Sequence, residues 1–447
     1  MTGKINIEVA GGSDLVAFTA AIGLNFTGGS FKSKFITING NGGDSLTMLG
    51  RFNYDSVTGE LNGGRVTATR WSDNGVLYAT AKGDSIDAEQ FYAAFLDSAT
   101  DPTAFFNLFG DITFNGNAGA DVGFGLALAD SLFGFAGDDQ LLGFAGNDLI
   151  NGGAGGDGMD GGVGNDTVSY DSSTSRVSVN LTKGSASGGD ATGDVIAGFE
   201  NITGSGFNDK LTGTASANIL KGGVGKDTLT GEAGGDTLDG GQDNDTASYI
   251  HSKSGVDVNL ESGAVSGGHS AGDTLISIES VLGSKFDDVL TGDNKANALK
   301  GSNGDDTLRG GANTDILKGG SGDDTLDGGQ SIDHVSGDAG NDTIILNQLA
   351  GNMDFISNFV PGSDRLQIDA SLFGGGLTGG VALAPGQLVL NGTGSALDAD
   401  DRFILNTATG ELFFDNNGSN AGDSGSRLIA DFEGAIPVLT VADFDIV

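Results

Sequence analysis

Gly134-Phe135-Ala136-Gly137-Asp138-Asp139-Gln140-Leu141-Leu142 is followed at once by Gly143-Phe144-Ala145-Gly146-Asn147-Asp148-Leu149-Ile150-Asn151, and the register restarts at Gly152 and Gly161. A nine-residue period held without a slip predicts a stacked, quasi-one-dimensional structure. Three blocks share the register, beginning at Gly116, Gly204 and Gly283 and holding six, five and seven units. Position six is Asp in sixteen of these eighteen units and Asn in the other two, Asn218 and Asn297. Position eight is Leu, Ile, Val or Met except at Gly123 and Ala247.

Each position has a physical reading. Glycines at positions one, two and four permit positive φ and close backbone approach, so the first six residues can curl into a turn whose carbonyls converge. The last three form a strand too short to stand alone. Side chains alternate along a strand, so the Asp at six and the aliphatic residue at eight share a face, while residue seven, often Thr as at Thr228 and Thr307, faces outward. Core formation and carboxylate placement are therefore tied together within one unit.

Carboxylates and carbonyls, with no Cys and three His in the chain, suit a hard cation that takes six to eight oxygens, calcium before magnesium or zinc. Gly222-Gly223-Val224-Gly225-Lys226-Asp227-Thr228-Leu229-Thr230 resembles the Gly-Gly-x-Gly-x-Asp-x-aliphatic-x unit of repeats-in-toxin (RTX) proteins. That resemblance implies a mainly β fold of right-handed parallel β-roll blocks, two nonapeptides to a turn, with calcium between successive turns. It implies metal ligands at Asp121, Asp130, Asp139, Asp148, Asp157, Asp166, Asp209, Asp227, Asp236, Asp245, Asp288, Asp306, Asp315, Asp324, Asp333 and Asp342. Turn glycines Gly134, Gly143, Gly152, Gly161, Gly222, Gly231, Gly301, Gly310 and Gly319 would complete the cradles. Pairing repeat n with n+2 gives an upper bound of about 12 Ca2+ ions. Weak or absent binding is expected where the unit departs from the pattern, at Gly213 and Gly292 (Asn at six, Ser216 or Lys295 at four) and at Gly125 (Leu128 at four).

Composition agrees. The net charge is −39, from 60 acidic and 21 basic residues, so the metal-free compact state should repel itself. If each site stood tenfold above its dissociation constant, linkage would add roughly 1.4 kcal/mol per site, on the order of 14 kcal/mol for ten sites. That rivals the stability of a whole domain. Calcium is therefore expected to fold the rolls. So acidic a chain, without a basic stripe, excludes nucleic acid as a partner. No run of about 20 apolar residues predicts a transmembrane segment, and the start does not read as a signal peptide, because Asp14 interrupts its only apolar run. The absence of Cys leaves disulfides out and suits extracellular stabilisation by other means.

The ending Leu439-Thr440-Val441-Ala442-Asp443-Phe444-Asp445-Ile446-Val447 resembles the uncleaved C-terminal signal of type I secretion substrates, which implies the type I apparatus as a partner and an extracellular or cell-surface location. Between the blocks, residues 170–203 and 249–282 align without gaps at an offset of 79: Tyr170 with Tyr249, Val177, Val179 and Leu181 with Val256, Val258 and Leu260, Gly193-Asp194 with Gly272-Asp273, and Glu200 with Glu279. These inserts read as strand pairs or caps and are similar to inserts in the repeat modules of bacterial alginate epimerases. Asp194 and Asp273 read as turn caps, with metal ligation as the alternative.

The expected division is 1–110, a β-rich domain with one helix; 111–169, first roll; 170–203, insert; 204–248, second roll; 249–282, insert; 283–345, third roll; 346–447, a C-terminal capping and secretion region. In the first part, Arg51–Tyr54, Arg65–Trp71 and Val76–Thr80 alternate and are broken by Thr58-Gly59, Asn62-Gly63-Gly64 and Asp73-Asn74-Gly75, the pattern of an antiparallel meander. Asp87 and Gln90 are placed as a capping box and Ile86 with Phe91 as a staple, predicting a helix to about Asp97. Phe105, Phe106, Phe109 and Phe114 suit core that caps the first roll, with an apolar docking surface as the alternative. Asp354 to Leu366 resembles the segment that closes RTX rolls in secreted proteases and lipases. Phe403–Asn406 and Glu411–Asp415 read as a hairpin, and Asp415, Asn417 and Ser419 faintly as a calcium loop.

Catalytic motifs fail. Gly43-Asp44-Ser45-Leu46 and Gly422-Asp423-Ser424-Gly425-Ser426 spell partial hydrolase motifs, but each needs a histidine partner. His251 and His269 lie in the second insert and His334 at an outward position seven. No His-Glu-x-x-His exists, so no enzyme is expected. The leading reading is a secreted, calcium-folded structural protein that self-assembles into a layer, filament or adhesive coat. A secreted enzyme or ligand-binding protein with its activity in residues 1–110, or carbohydrate binding along the roll with surface polysaccharide as partner, are the alternatives.

Overall fold

A computed structural model describes residues 111–447 except 112, 126, 348–352 and 418–425. Before residue 111 it describes, as backbone, the strands Ile5–Val9, Phe35–Gly40, Ser45–Tyr54, Leu61–Asp73, Val76–Ala81 and Ile86–Asp87. The chain divides into two compact units, Met1–Leu211 and Thr212–Val447.

In the first unit the nonapeptides lay down two parallel ladders of three-residue strands. One runs through Val122–Phe124, Gln140–Leu142 and Gly158–Asp160, the other through Ser131–Phe133, Leu149–Asn151 and Thr167–Ser169. Partners such as Leu141 and Met159 are 18 residues apart, so two units make one turn, as expected of a parallel β-roll. Strands this short persist because each position-eight residue enters the space between the ladders. Leu132, Leu141, Ile150, Met159 and Val168 are all buried there, each stabilising the roll by about 1.5–3 kcal/mol.

The antiparallel meander appears in Phe35–Gly40, Ser45–Tyr54, Leu61–Asp73 and Val76–Ala81. It differs from expectation at Asn62-Gly63-Gly64, which lies inside a strand, Gly63 opposite Asn53 and Gly64 opposite Phe52. Cross-strand pairing outweighs the turn preference of an Asn-Gly pair. Thr80 pairs with Thr113, and Thr113–Asn115 runs parallel to Ser131–Phe133, with Phe114 fully buried. Ile86–Asp87 pairs with Arg65–Val66; the rest of the expected helix, like Phe105, Phe106 and Phe109, lies outside the described residues.

The first insert holds an antiparallel hairpin, Ser178–Asn180 with Ser185–Ser187. Its remainder carries both ladders onward: Val195–Ala197 pairs with Gly158–Asp160, and Asn201–Thr203 with Thr167–Ser169. In the second unit the other insert repeats this plan with the hairpin Asp257–Asn259 and Ala264–Ser266, while Thr274–Ile276 and Ser280–Leu282 extend the ladders of Thr237–Gln242 and Thr246–Ser248.

The third block continues in register through strands such as Ala298–Asn303, Ile316–Ser321 and His334–Ala339. Asp354–Ser357 and Arg365–Ile368 extend its two ladders. The expected hairpin of Phe403–Asn406 and Glu411–Asp415 is present. Ser426–Glu433 bridges it to Asp354–Ser357, and Phe444–Ile446 pairs with Leu366–Ile368. Phe373, Phe403, Phe414 and Phe444 form the aromatic core of this end, with ring centroids 4.7–5.2 Å apart. Among the described residues no helix is long and apolar enough to cross a membrane.

Candidate metal centre

In most turns of the roll the backbone turns left-handed at positions two and four, as at Phe135 (74°) and Gly137 (116°), Phe144 (69°) and Gly146 (130°), and Gly153 (87°) and Gly155 (151°); the units that begin at Gly116, Gly204, Gly213, Gly283 and Gly292 have no positive φ at either position. Position one has another constraint. A Cβ on Gly134 would collide with Asp139 Oδ2 of its own unit and with the carbonyl of Gly152 in the next turn, and Gly143, Gly222 and Gly319 face the same obstruction from Asp148, Asp227 and Asp324. Glycine at position one is thus room for the carboxylate.

All sixteen expected aspartates are buried. They stack in ladders. Asp139 Oδ1 accepts the backbone N–H of Asp121 at 2.7 Å and Asp157 Oδ1 that of Asp139 at 2.8 Å; on the other edge Asp148 accepts from Asp130 and Asp166 from Asp148, both at 2.7 Å. In the second unit Asp306, Asp324 and Asp342 accept in turn from Asp288, Asp306 and Asp324 at 2.7, 2.8 and 3.0 Å. Asp315 and Asp333 do the same from Asn297 and Asp315, both at 2.8 Å.

One carboxylate oxygen is thereby held and the other is not. Oδ2 of Asp139, Asp148, Asp157, Asp166, Asp236, Asp245, Asp306, Asp315, Asp324, Asp333 and Asp342 is buried with no hydrogen-bond donor. A buried carboxylate oxygen left without a donor is costly, and eleven of them on one set of rungs fit a bound cation. Burial is the largest cause of their raised pKa values, with neighbouring carboxylates adding to it against the pull of the backbone N–H. Asp148, Asp245 and Asp333 are pushed up to about 6, Asp157, Asp236, Asp315 and Asp324 to about 7, and Asp306 to about 8.

Rungs at the ends of the ladders are closed by protein donors instead. Asn117 donates its N–H and its amide to Asp121, at 2.6 and 2.7 Å. The hydroxyls of Ser205 and Ser284 donate to Asp209 and Asp288 at 2.9 and 2.8 Å. Both Asn rungs are also satisfied: Asn218 accepts the N–H of Thr214 at 2.6 Å, and Asn297 accepts from Asp293 at 2.7 Å while donating to the Glu279 carbonyl at 3.1 Å.

The structure adds rungs that the nonapeptide pattern does not announce. Asp354 and Asp364 accept the N–H of Asp333 and Asp342, both at 3.1 Å. Asp194, Asp273, Glu200 and Glu279 do so within the inserts. Their signal was the Gly-Asp pair shared by both inserts and the acid that opens Asp354-Phe355-Ile356. Of the faint calcium loop, Asp415 accepts the N–H of Asn417 at 3.0 Å, and Ser419 lies outside the described residues. His251 and His269 lean on Glu232, at 2.7 and 3.9 Å, and His334 is exposed and stacked on Phe355 at 5.0 Å.

Among the described residues no three His, Asp or Glu side chains gather as a metal cluster. A cation here would be held by the position-six carboxylates of stacked turns together with loop carbonyls, an all-oxygen shell that fits calcium. A family model described as the RTX calcium-binding nonapeptide repeat (4 copies) matches residues 115–143, 133–168, 197–225, 212–247, 282–317 and 318–348. No curated protein matches the chain. Residues 115–168, 197–247 and 282–348 thus carry RTX calcium-binding nonapeptide repeats, interrupted by the two inserts.

Proposed function

We propose that this is a secreted structural protein whose β-rolls fold when they meet extracellular calcium and which then assembles with copies of itself at the cell surface or in the surrounding matrix. One observation carries the folding half of this reading: eleven buried Oδ2 atoms have no donor from the protein. Inside a cell, where calcium is scarce, the chain would stay open enough for export through a type I apparatus, with its C-terminal residues as the signal. Outside, calcium neutralises the rungs and the position-eight residues close into a core. About 12 ions would bring the net charge of −39 to about −15, still enough to limit nonspecific association.

Assembly is supported by apolar side chains left on the surface. In the first unit Phe124, Phe135, Phe144 and Val163 are exposed, with Phe124 and Phe144 stacked at 6.0 Å. In the second, Val381, Leu390, Leu397 and Val438 are exposed. Such residues suit subunit contacts better than catalysis, and the role proposed has no enzymatic step. Electron microscopy of the purified full chain before and after calcium addition tests it. Ordered assemblies appearing with calcium are expected; monodisperse single particles at every calcium concentration would contradict it.

A further inference from the structure

Each insert replaces part of a roll turn with a longer excursion, and the carboxylate that re-enters the ladder is Asp194 in one and Asp273 in the other. Oδ1 behaves as in every other rung, accepting the N–H of Asp157 or Asp236 at 2.9 Å. Oδ2 does not. The hydroxyl of Tyr170 donates to Asp194 Oδ2 at 2.9 Å, and that of Tyr249 to Asp273 Oδ2 at 3.1 Å. Both tyrosines are buried, at 1% and 2% exposure, so neither bond is exchanged freely for water.

The loops beneath these rungs are also different. Gly189–Ala191 and Gly268–Ser270 are short 3-10 helices, each entered through a left-handed glycine pair, Gly188-Gly189 and Gly267-Gly268. Carbonyls of Gly188 and Gly189 accept from Ala191 and Thr192 at 2.9 and 3.4 Å, and the carbonyl of Gly267 accepts the N–H and the hydroxyl of Ser270 at 3.1 and 3.0 Å. These three carbonyl oxygens are thus engaged within the insert itself. In the second insert the companion rung, Glu279, takes the ammonium of Lys295 at 2.9 Å.

We infer that the two inserts are stops in the cation ladder: at Asp194 and Asp273 a tyrosine hydroxyl stands where a nonapeptide rung leaves an oxygen for calcium, so these rungs hold without metal and divide the array into separately loaded runs. This rests on the reading of the nonapeptide aspartates as calcium ligands. It gives Tyr170 and Tyr249, which occupy the same place in the two aligned inserts, a role beyond core packing, since a buried phenol is a neutral donor rigid enough to reach one oxygen. The stop gives each run its own first and last rung, with Asn117, Ser205 and Ser284 as the opening caps.

The test is a count of bound calcium in full-length protein after equilibrium dialysis. An asparagine at a stop keeps both bonds, its oxygen accepting from the backbone and its amide donating to the tyrosine oxygen. The double variant Asp194→Asn/Asp273→Asn is therefore expected to bind as many ions as the parent and to melt within a degree or two of it in calcium. Asp157→Asn/Asp236→Asn, in the adjacent nonapeptides, is expected to lose at least two ions. A deficit in the insert pair equal to that of the nonapeptide pair, or its failure to fold in calcium, overturns the stop. Should the nonapeptide pair not fold, the insert pair still decides, a full count sustaining the inference and a deficit ending it. A parent protein that binds no calcium would instead refute the ligand reading beneath it.

Discussion

A nonapeptide turn and an insert turn face the same difficulty, a carboxylate taken out of water, and meet it in opposite ways. At Asp157 one oxygen is tied to the backbone N–H of Asp139 and the other has no donor. At Asp194, one turn on, the first oxygen is tied in the same way to Asp157 and the second is closed by Tyr170. The first solution is incomplete without a cation and the second is self-sufficient. A protein that is to fold on a signal needs many rungs of the first kind, and a few of the second fix where the signal acts.

The largest effect that could break this contrast is the pH response of the metal-free protein. Burial raises Asp306 to about 8 and Asp157, Asp236, Asp315 and Asp324 to about 7, from 3.8. A folded-state pKa above the unfolded one means that the native state binds more protons between the two values, so stability falls as pH rises through that window. In chelator, the thermal midpoint is expected to be highest near pH 4 and to decline as pH rises, until near pH 8 no folded metal-free state remains to melt. Asp194 and Asp273 are raised only to about 6, so the decline above pH 7 belongs to the nonapeptide rungs and to Asp354, which burial pushes up to about 8, and saturating calcium should flatten it. A metal-free midpoint that rises between pH 5 and 8 would count against the account.

Next comes the core that the rungs support. Leu317 is fully buried, and Leu317→Ala should cost about 2–5 kcal/mol in calcium-loaded protein, read from denaturant unfolding. Smaller, and more specific to the carboxylate, is Gly319→Ala. Its added Cβ meets Asp324 Oδ2, so a loss of about 1–3 kcal/mol is expected together with weaker calcium binding. Gly206→Ala is the control, because nothing lies within 4 Å of its added Cβ; its effect should stay within about 0.5 kcal/mol, and an equal loss at both glycines would remove the steric argument.

The nine-residue period made a stacked structure legible, and the resemblance to RTX repeats supplied the two units per turn that set Leu141 against Met159 and Asp139 against Asp157. Less of the site could be read, and for physical reasons. The partnership of Tyr170 with Asp194 spans 24 residues, and nothing local marks the tyrosine as a donor rather than as core. Asp354 and Asp364 follow their partners by 21 and 22 residues rather than 18, so they fall outside a strict period although they extend the same ladders. The conformational freedom of glycine suggested the turn but not that position one is kept empty for an oxygen. At Asn62-Gly63-Gly64 a strong local turn signal gave way to pairing with Phe52 and Asn53, a contact no short window contains.

Far-ultraviolet circular dichroism at pH 8, before and after excess EGTA and again after calcium is restored, is the most direct measurement of the claim that calcium binding and core formation are one event. The β signal should collapse on chelation and return with calcium, in a cooperative titration. A β signal unchanged by EGTA would show that the rungs are satisfied without metal and that the contrast between Asp157 and Asp194 has no energetic meaning.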